Sequence, residues 1–126
     1  MATVTWESPT SFTSALTTGL DSLASGSATA ASTAIDNSTN LDMFADFSAI
    51  LGSINPSGTP YLELHLLPRL GDASTYADRS TSTLAGQLVV TTGSSAKSGM
   101  FVSFNGGPII IPPGLFKVQV VNQTGV

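Results

Sequence analysis

The chain has 126 residues, of which 41% are hydrophobic and 10% are charged, and its formal net charge is −4. It contains no cysteine, which excludes disulfide bonds, thiolate zinc sites and a cysteine nucleophile. Its basic residues are few and scattered (Arg69, Arg79, Lys97 and Lys117), so we expect neither a nucleic-acid partner nor a membrane partner.

The N-terminal half is predicted to contain two strands, a short helix and a turn. Residues Met1–Glu7 favour a short strand in an N-terminal arm, and three leucines at helical spacing predict a short helix near Ala15–Leu23. The Asp, Asn and Ser residues of Asp36–Asn40 predict a turn. The segment Leu41–Ile54 is rich in apolar side chains, and we predict a strand there.

The C-terminal half is predicted to consist of strands joined by Gly-, Ser- and Pro-rich turns. The strongest of these is Tyr61–Leu70, whose leucines at 62, 64 and 66 share one face. Further strands are predicted at Gly86–Val90, Ser98–Phe104 and Leu115–Val121. This pattern predicts an all-β fold, an antiparallel jelly roll or β-sandwich with one short helix near the N-terminus. We expect a single domain over residues 1–126.

Few residues could carry chemistry. His65 is the only histidine, and a Ser-His-Asp triad would need it. We instead predict a histidine on the outer face of a strand. Asp42 and Asp46 are the closest carboxylates, and we expect them to solubilise a turn or strand end rather than to hydrolyse glycosides. A weak cation site within Asp36–Asp42 is the other reading of that segment. The sequence therefore predicts no catalytic, cofactor-binding or metal-ligating residue, and a protein that is not an enzyme.

Two further patterns have both a functional and a structural explanation. Asn37-Ser38-Thr39 and Asn122-Gln123-Thr124 match the acceptor pattern for N-glycosylation, which arises often by chance in a Ser/Thr-rich chain. Aromatic side chains could stack against sugars, but we expect them to pack in the core or at an interface. The aromatic candidates are Trp6, Tyr61, Tyr76, Phe101 and Phe104.

Several stretches together carry a resemblance to a known class of protein. They are Leu20–Gly26, Ala34–Leu41, Tyr61–Pro68 with Tyr76–Asp78, Ile111–Val118 and Val121–Val126. In these stretches the chain resembles small virion structural proteins of tailed bacteriophages. The resemblance implies a structural role in the virion and a jelly-roll or sandwich fold.

Composition and resemblance lead to one main hypothesis and two others. The main one is a capsid decoration (cement) protein on the outer capsid surface that binds the major capsid protein and forms a homotrimer or other homo-oligomer. The expected contact elements are the N-terminal arm, Thr91–Ser98 and Asn105–Pro108. The alternatives are a carbohydrate- or receptor-binding module of a tail fibre or spike, and a small hydrolase.

Overall fold

A computed structural model describes residues 15–16, 23–51, 58–71, 74–80, 82–89 and 100–125. The described part of the chain is built from antiparallel strands, which confirms the all-β prediction. The strands are β1 Ile35–Asp36, β2 Phe44–Ala45, β3 Ser48–Leu51, β4 Tyr61–Pro68, β5 Thr83–Val89, β6 Met100–Ser103, β7 Ile109–Ile110 and β8 Leu115–Gln123, with a 3-10 turn at Phe104–Gly106.

The central sheet has the strand order β1-β8-β4-β5. Its two long strands, β4 and β8, pair over their whole common length, from Tyr61 opposite Gln123 to Pro68 opposite Phe116. Alternation along both strands, in this register, places Leu62, Leu64 and Leu66 of β4 and Val118 and Val120 of β8 on one face. A bulge between Leu64 and His65 shifts the register of β4 against β5.

The core lies against that leucine-bearing face of the sheet. Leu64 is buried there among Phe104 and Phe116, and the leucine face predicted for β4 is confirmed. Full burial of one such side chain contributes about 1.5–3 kcal/mol, which makes this cluster the main source of stability. The buried members of the cluster are Leu62, Leu64, Leu66, Phe104, Ile109, Phe116, Val118 and Val120.

Two short ribbons accompany the sheet: β2 pairs with β7, and β3 pairs with β6. The single strand predicted over Leu41–Ile54 is therefore two strands separated at Asp46–Phe47. The interruption has a physical reason, since the chain changes partners there. Before this point the segment pairs with β7, and after it the segment pairs with β6. Between the two pairings, the backbone carbonyl of Phe47 accepts a hydrogen bond from the backbone N–H of Phe104.

A hydroxyl-rich segment that precedes β1 continues along the edge of β8 that faces away from β4. The backbone N–H of Val118 donates to Ser32 Oγ at 2.9 Å, and that of Val120 donates to Thr29 Oγ1 at 3.1 Å. Both hydroxyls are buried and replace the carbonyl acceptors of a regular ladder. This explains in part why the chain is rich in Ser and Thr: small hydroxyl side chains can satisfy a strand edge.

The outer edge of β5 is covered by the side chain of Asn105. Its Oδ1 accepts from the backbone N–H of Gln87 at 2.9 Å, and its Nδ2 donates to the carbonyl oxygen of Ala85 at 3.2 Å. Gly86 lies between these contacts, and a Cβ there would meet Ile109 Cδ1 at 2.9 Å. The turn predicted at Asn105–Pro108 is present, with Asn105 at a φ of 54°.

The short helix predicted near Ala15–Leu23 is not confirmed. Ala15, Leu16 and Leu23 are not helical, and residues 17–22 lie outside the described part of the chain. The predicted arm Met1–Glu7 and the loop Thr91–Ser98 lie outside it as well. Within the described residues, no helix has the length and apolar character to cross a membrane.

Candidate interaction surface

The ribbon formed by β2 and β7 turns one face to the core and the other to solvent. Phe44 pairs with Ile110, and Ala45 pairs with Ile109. Directly opposed residues of an antiparallel pair share a face, so Phe44 and Ile110 are side by side. Ile109 is buried in the core, whereas Phe44 and Ile110 are 54% and 70% exposed. The ribbon therefore displays an aromatic and a branched aliphatic side chain together.

Two more large apolar side chains extend this exposed surface along the chain. Leu41 is 62% exposed and Met43 is 67% exposed. We call Leu41, Met43, Phe44 and Ile110 the ribbon face. Single exposed apolar residues are ordinary, but several large ones within four residues of the chain, with Phe44 directly opposite Ile110, are typical of a surface that another molecule covers.

A buried asparagine holds the segment that carries the ribbon face. Asn37 is 4% exposed, and its Nδ2 donates to the carbonyl oxygens of Asp42 and Pro112, each at 2.8 Å. Its Oδ1 accepts from the backbone N–H of Asp42 at 2.8 Å. All of the side-chain amide is thus engaged, and it ties the turn before β2 to the segment after β7.

The same turn holds Leu41 in a conformation that leucine rarely adopts. Leu41 has a φ of 54°, in the left-handed region, which costs about 1–2 kcal/mol for a residue with a Cβ. Its backbone N–H donates to the Asn37 carbonyl oxygen at 3.1 Å. The hydrogen bonds of Asn37 therefore hold this strained backbone in place, since the exposed leucine side chain gains nothing from burial.

A groove of about 700 Å³ adjoins the ribbon face. Ile110 belongs to both, and Asn105 and Ser82 supply polar groups to a lining that is otherwise mainly apolar. Its walls are formed by Leu66, Pro68, Ser82, Ala85, Asn105 and the segment Pro108–Pro113. Prolines on both sides of β7 lack a backbone donor and so discourage the addition of another strand. A partner at β7 would therefore contact side chains rather than add a strand to the ribbon.

His65 lies on the face of β4 opposite the leucines, as predicted, but it is buried. Its Nε2 is 3.2 Å from Glu63 Oε2, and its Nδ1 is 3.0 Å from Ser82 Oγ. When Nε2–H donates to the carboxylate, Nδ1 accepts from the serine hydroxyl. Ser82 Oγ also lies 3.3 Å from the carbonyl oxygen of Arg79, and its backbone N–H donates to Asp78. This array connects β4 to the turn before β5.

The acidic candidates do not converge. Asp36 accepts hydrogen bonds from the Ser38 hydroxyl and backbone N–H, and these bonds hold the pKa of Asp36 below its usual range, with a smaller effect from Arg69. Asp42 and Asp46 are exposed, one on each side of β2 in the sequence. No group of three or more potential metal ligands occurs among the described residues.

The two glycosylation patterns fall on engaged asparagines. Asn37 is the buried residue described above. Asn122 is also buried, and its Nδ2 donates to the Leu23 carbonyl oxygen at 2.6 Å while its Oδ1 accepts from Thr124. A glycan would replace one N–H of the amide nitrogen and would need open space around it, whereas both asparagine side chains are buried and hydrogen-bonded.

The aromatic candidates for sugar stacking are dispersed. Phe104 is in the core, Tyr61 is half-buried, and the Tyr76 ring is covered by Lys117, whose Nζ is 4.6 Å from the ring centroid. Trp6 and the side chain of Phe101 lie outside the described part. Among the described aromatic side chains, Phe44 is the exposed one, and sequence reasoning did not single it out. Two sequence features could have identified this exposed surface: the alternation Asp42-Phe44-Asp46 and the proline residues that flank Ile110.

No family model, no curated protein sequence and no solved structure matches this chain.

Proposed function

We propose that this protein is a bacteriophage virion structural protein, a capsid decoration or cement protein that binds the major capsid protein on the outer capsid surface. Its role is to hold other chains together, without catalysis and without a cofactor. In this proposal it associates with copies of itself as a homotrimer or other homo-oligomer, and its strands form a jelly-roll-like sandwich. The sequence resemblance is the source of the virion assignment.

The observation that carries the proposal is the ribbon face. A chain with 10% charged residues exposes four large apolar side chains together, on a segment clamped by a buried asparagine. The groove beside it adds apolar surface from the proline-rich segment around β7. Rigid apolar surface supports association because little conformational entropy is lost when a partner covers it.

The mechanism is mass action. A protein that binds the assembled shell, but not its separated subunits, stabilises the shell by an amount that grows with the ratio of its free concentration to its Kd. At a hundredfold excess over Kd each site contributes about 2.7 kcal/mol. Many equivalent sites on one capsid multiply this modest contribution, so moderate affinity per site is sufficient.

The experiment is co-sedimentation of the purified protein with empty expanded capsids of the source virus. We expect binding to saturate at a fixed ratio to the major capsid protein and to raise the temperature at which capsids dissociate. The variant Phe44→Ser with Ile110→Ser removes the centre of the ribbon face and should weaken binding at least about thirtyfold, the effect of losing one interface hot spot of about 2 kcal/mol.

A matched control uses another exposed leucine. Leu84 is 45% exposed on β5, outside the ribbon face, so Leu84→Ser changes polarity without touching the proposed contact. It should bind like the unmodified protein. Failure of the unmodified protein to bind capsids at any ratio would refute the proposed function.

A further inference from the structure

The ribbon face has acidic neighbours. Asp42 and Asp46 lie two residues before and two residues after Phe44, and all three side chains are exposed. Both carboxylates therefore lie on the exposed stretch of chain that carries the aromatic ring, one on each side of it in the sequence. The Asn37 clamp holds the backbone of Asp42, which fixes one of the two carboxylates relative to the apolar centre.

These charges distinguish between possible occupants of the ribbon face. If a second copy docked there about a two-fold axis, the same aspartates of both copies would face each other across a partly desolvated contact. Like charges in that arrangement oppose association, and the whole chain already carries a net charge of −4. A partner with Lys or Arg around an apolar recess would instead be attracted.

Resting on the proposed function, we infer that the occupant of the ribbon face is a different protein whose docking surface is an apolar recess with a basic rim. Phe44 and Ile110 enter the recess, and Asp42 and Asp46 pair with the rim. Contacts between copies of this chain, where they form, use other surfaces. The apolar centre supplies affinity, and the charged rim sets orientation and the choice of partner.

The test compares salt dependence between charge variants. Binding of the unmodified protein to source-virus capsids, and in a parallel series to isolated source-virus tails, is measured by sedimentation. The NaCl concentration is varied from about 50 to about 500 mM, a range over which salt increasingly screens interactions between exposed charges. Asp42→Asn with Asp46→Asn should weaken binding about three- to tenfold at the lowest salt and flatten the salt dependence. Asp42→Lys with Asp46→Lys should weaken it further.

Two controls test whether the effects on binding come from Asp42 and Asp46 at the ribbon face. Asp78→Asn makes the same charge change at an exposed aspartate outside the ribbon, and it should leave binding and its salt dependence unchanged. Sedimentation equilibrium of the free protein should show the same oligomeric state for the variant Phe44→Ser with Ile110→Ser as for the unmodified chain, because the ribbon face is not used between copies.

The outcomes separate this inference from the proposed function. Binding to tails but not to capsids, with the expected loss in the charge variants, would refute the capsid role and support the basic-rimmed partner. Capsid binding that the charge variants leave unchanged, or strengthen, would overturn the inference and retain the capsid role. Loss of an oligomer of the unmodified chain in the variant Phe44→Ser with Ile110→Ser would identify the ribbon face as a contact between copies and overturn the inference. Absence of binding to both particles would refute both.

Discussion

Replacing Asn37 with alanine tests the clamp that organises the ribbon face. The change removes the hydrogen bonds from Nδ2 to the carbonyl oxygens of Asp42 and Pro112, and the one that Oδ1 accepts from the backbone N–H of Asp42. The side chain is 4% exposed, so water does not simply take its place. The turn before β2 should loosen from the segment after β7.

The expected magnitude follows from these three hydrogen bonds. A typical intramolecular hydrogen bond contributes about 0.5–1.5 kcal/mol net, so the three together give about 2–4 kcal/mol. For a chain of 126 residues this corresponds to a decrease in Tm of about 8–15 °C. A loosened turn can also relieve the left-handed backbone strain at Leu41, which offsets part of the lost stability. We therefore expect a loss of stability in the lower part of that range.

The assay is urea denaturation followed by circular dichroism, with Asn40→Ala as the matched control. Asn40 lies in the same turn, is exposed and undergoes the same chemical change. Asn37→Asp adds a second test, because a carboxylate oxygen would face the two carbonyl oxygens that now accept from Nδ2. At neutral pH it should be at least as destabilising as Asn37→Ala. If Asn37→Ala and Asn40→Ala differ by less than about 0.5 kcal/mol, the clamp does not hold the turn, and the reasoning fails.

Three other predictions concern the sheet and its edges. Thr29→Val preserves shape but removes the acceptor for a buried backbone N–H of β8, so unfolding free energy should fall by about 1–3 kcal/mol in denaturant titrations. Gly86→Ala would place a methyl group 2.9 Å from an isoleucine carbon and should lower stability by about 1–3 kcal/mol by calorimetry, whereas Gly71→Ala meets nothing within 4 Å and should be near neutral. Hydrogen bonds from Ser38 lower the pKa of Asp36, so their contribution to stability is present above the unfolded-state pKa and is lost as pH falls through the lower folded-state pKa. Carboxyl NMR titration checks this, and a pKa for Asp36 at or above that of a model peptide would contradict it.

Periodicity identified the long strands because they have one continuous apolar face. In β4 and β8 every second residue is Leu, Val or Phe, and these positions form the core of the structure. The other face of β4 was harder to assign. The polar residue types of Glu63 and His65 predict that this face is exposed to solvent. His65 is nevertheless buried, which is possible because Glu63 and Ser82 satisfy both of its ring nitrogens. Alternation predicts which residues share a face, but not whether another segment covers that face.

The candidate surface depended on pairing between distant parts of the chain. Leu41–Ile54 reads as one apolar strand, and within it the alternation Asp42-Phe44-Asp46 is the only local feature that distinguishes Phe44 from the partly buried Phe47. The difference arises because β2 pairs with β7, some 65 residues away, and turns Phe44 outward beside Ile110. Asn37 likewise reads as an ordinary turn residue until its amide reaches Pro112.

By itself, the sequence determined that the chain is all-β, which residues of β4 and β8 form the core, and where several turns lie. These properties follow from local alternation and turn chemistry. Tertiary structure alone decided which apolar residues remain in solvent, which asparagines replace backbone partners, and which strand edge the hydroxyls cover. The physical reason is that burial and hydrogen-bond satisfaction depend on neighbours far apart in the chain, and strand register is what brings those neighbours together.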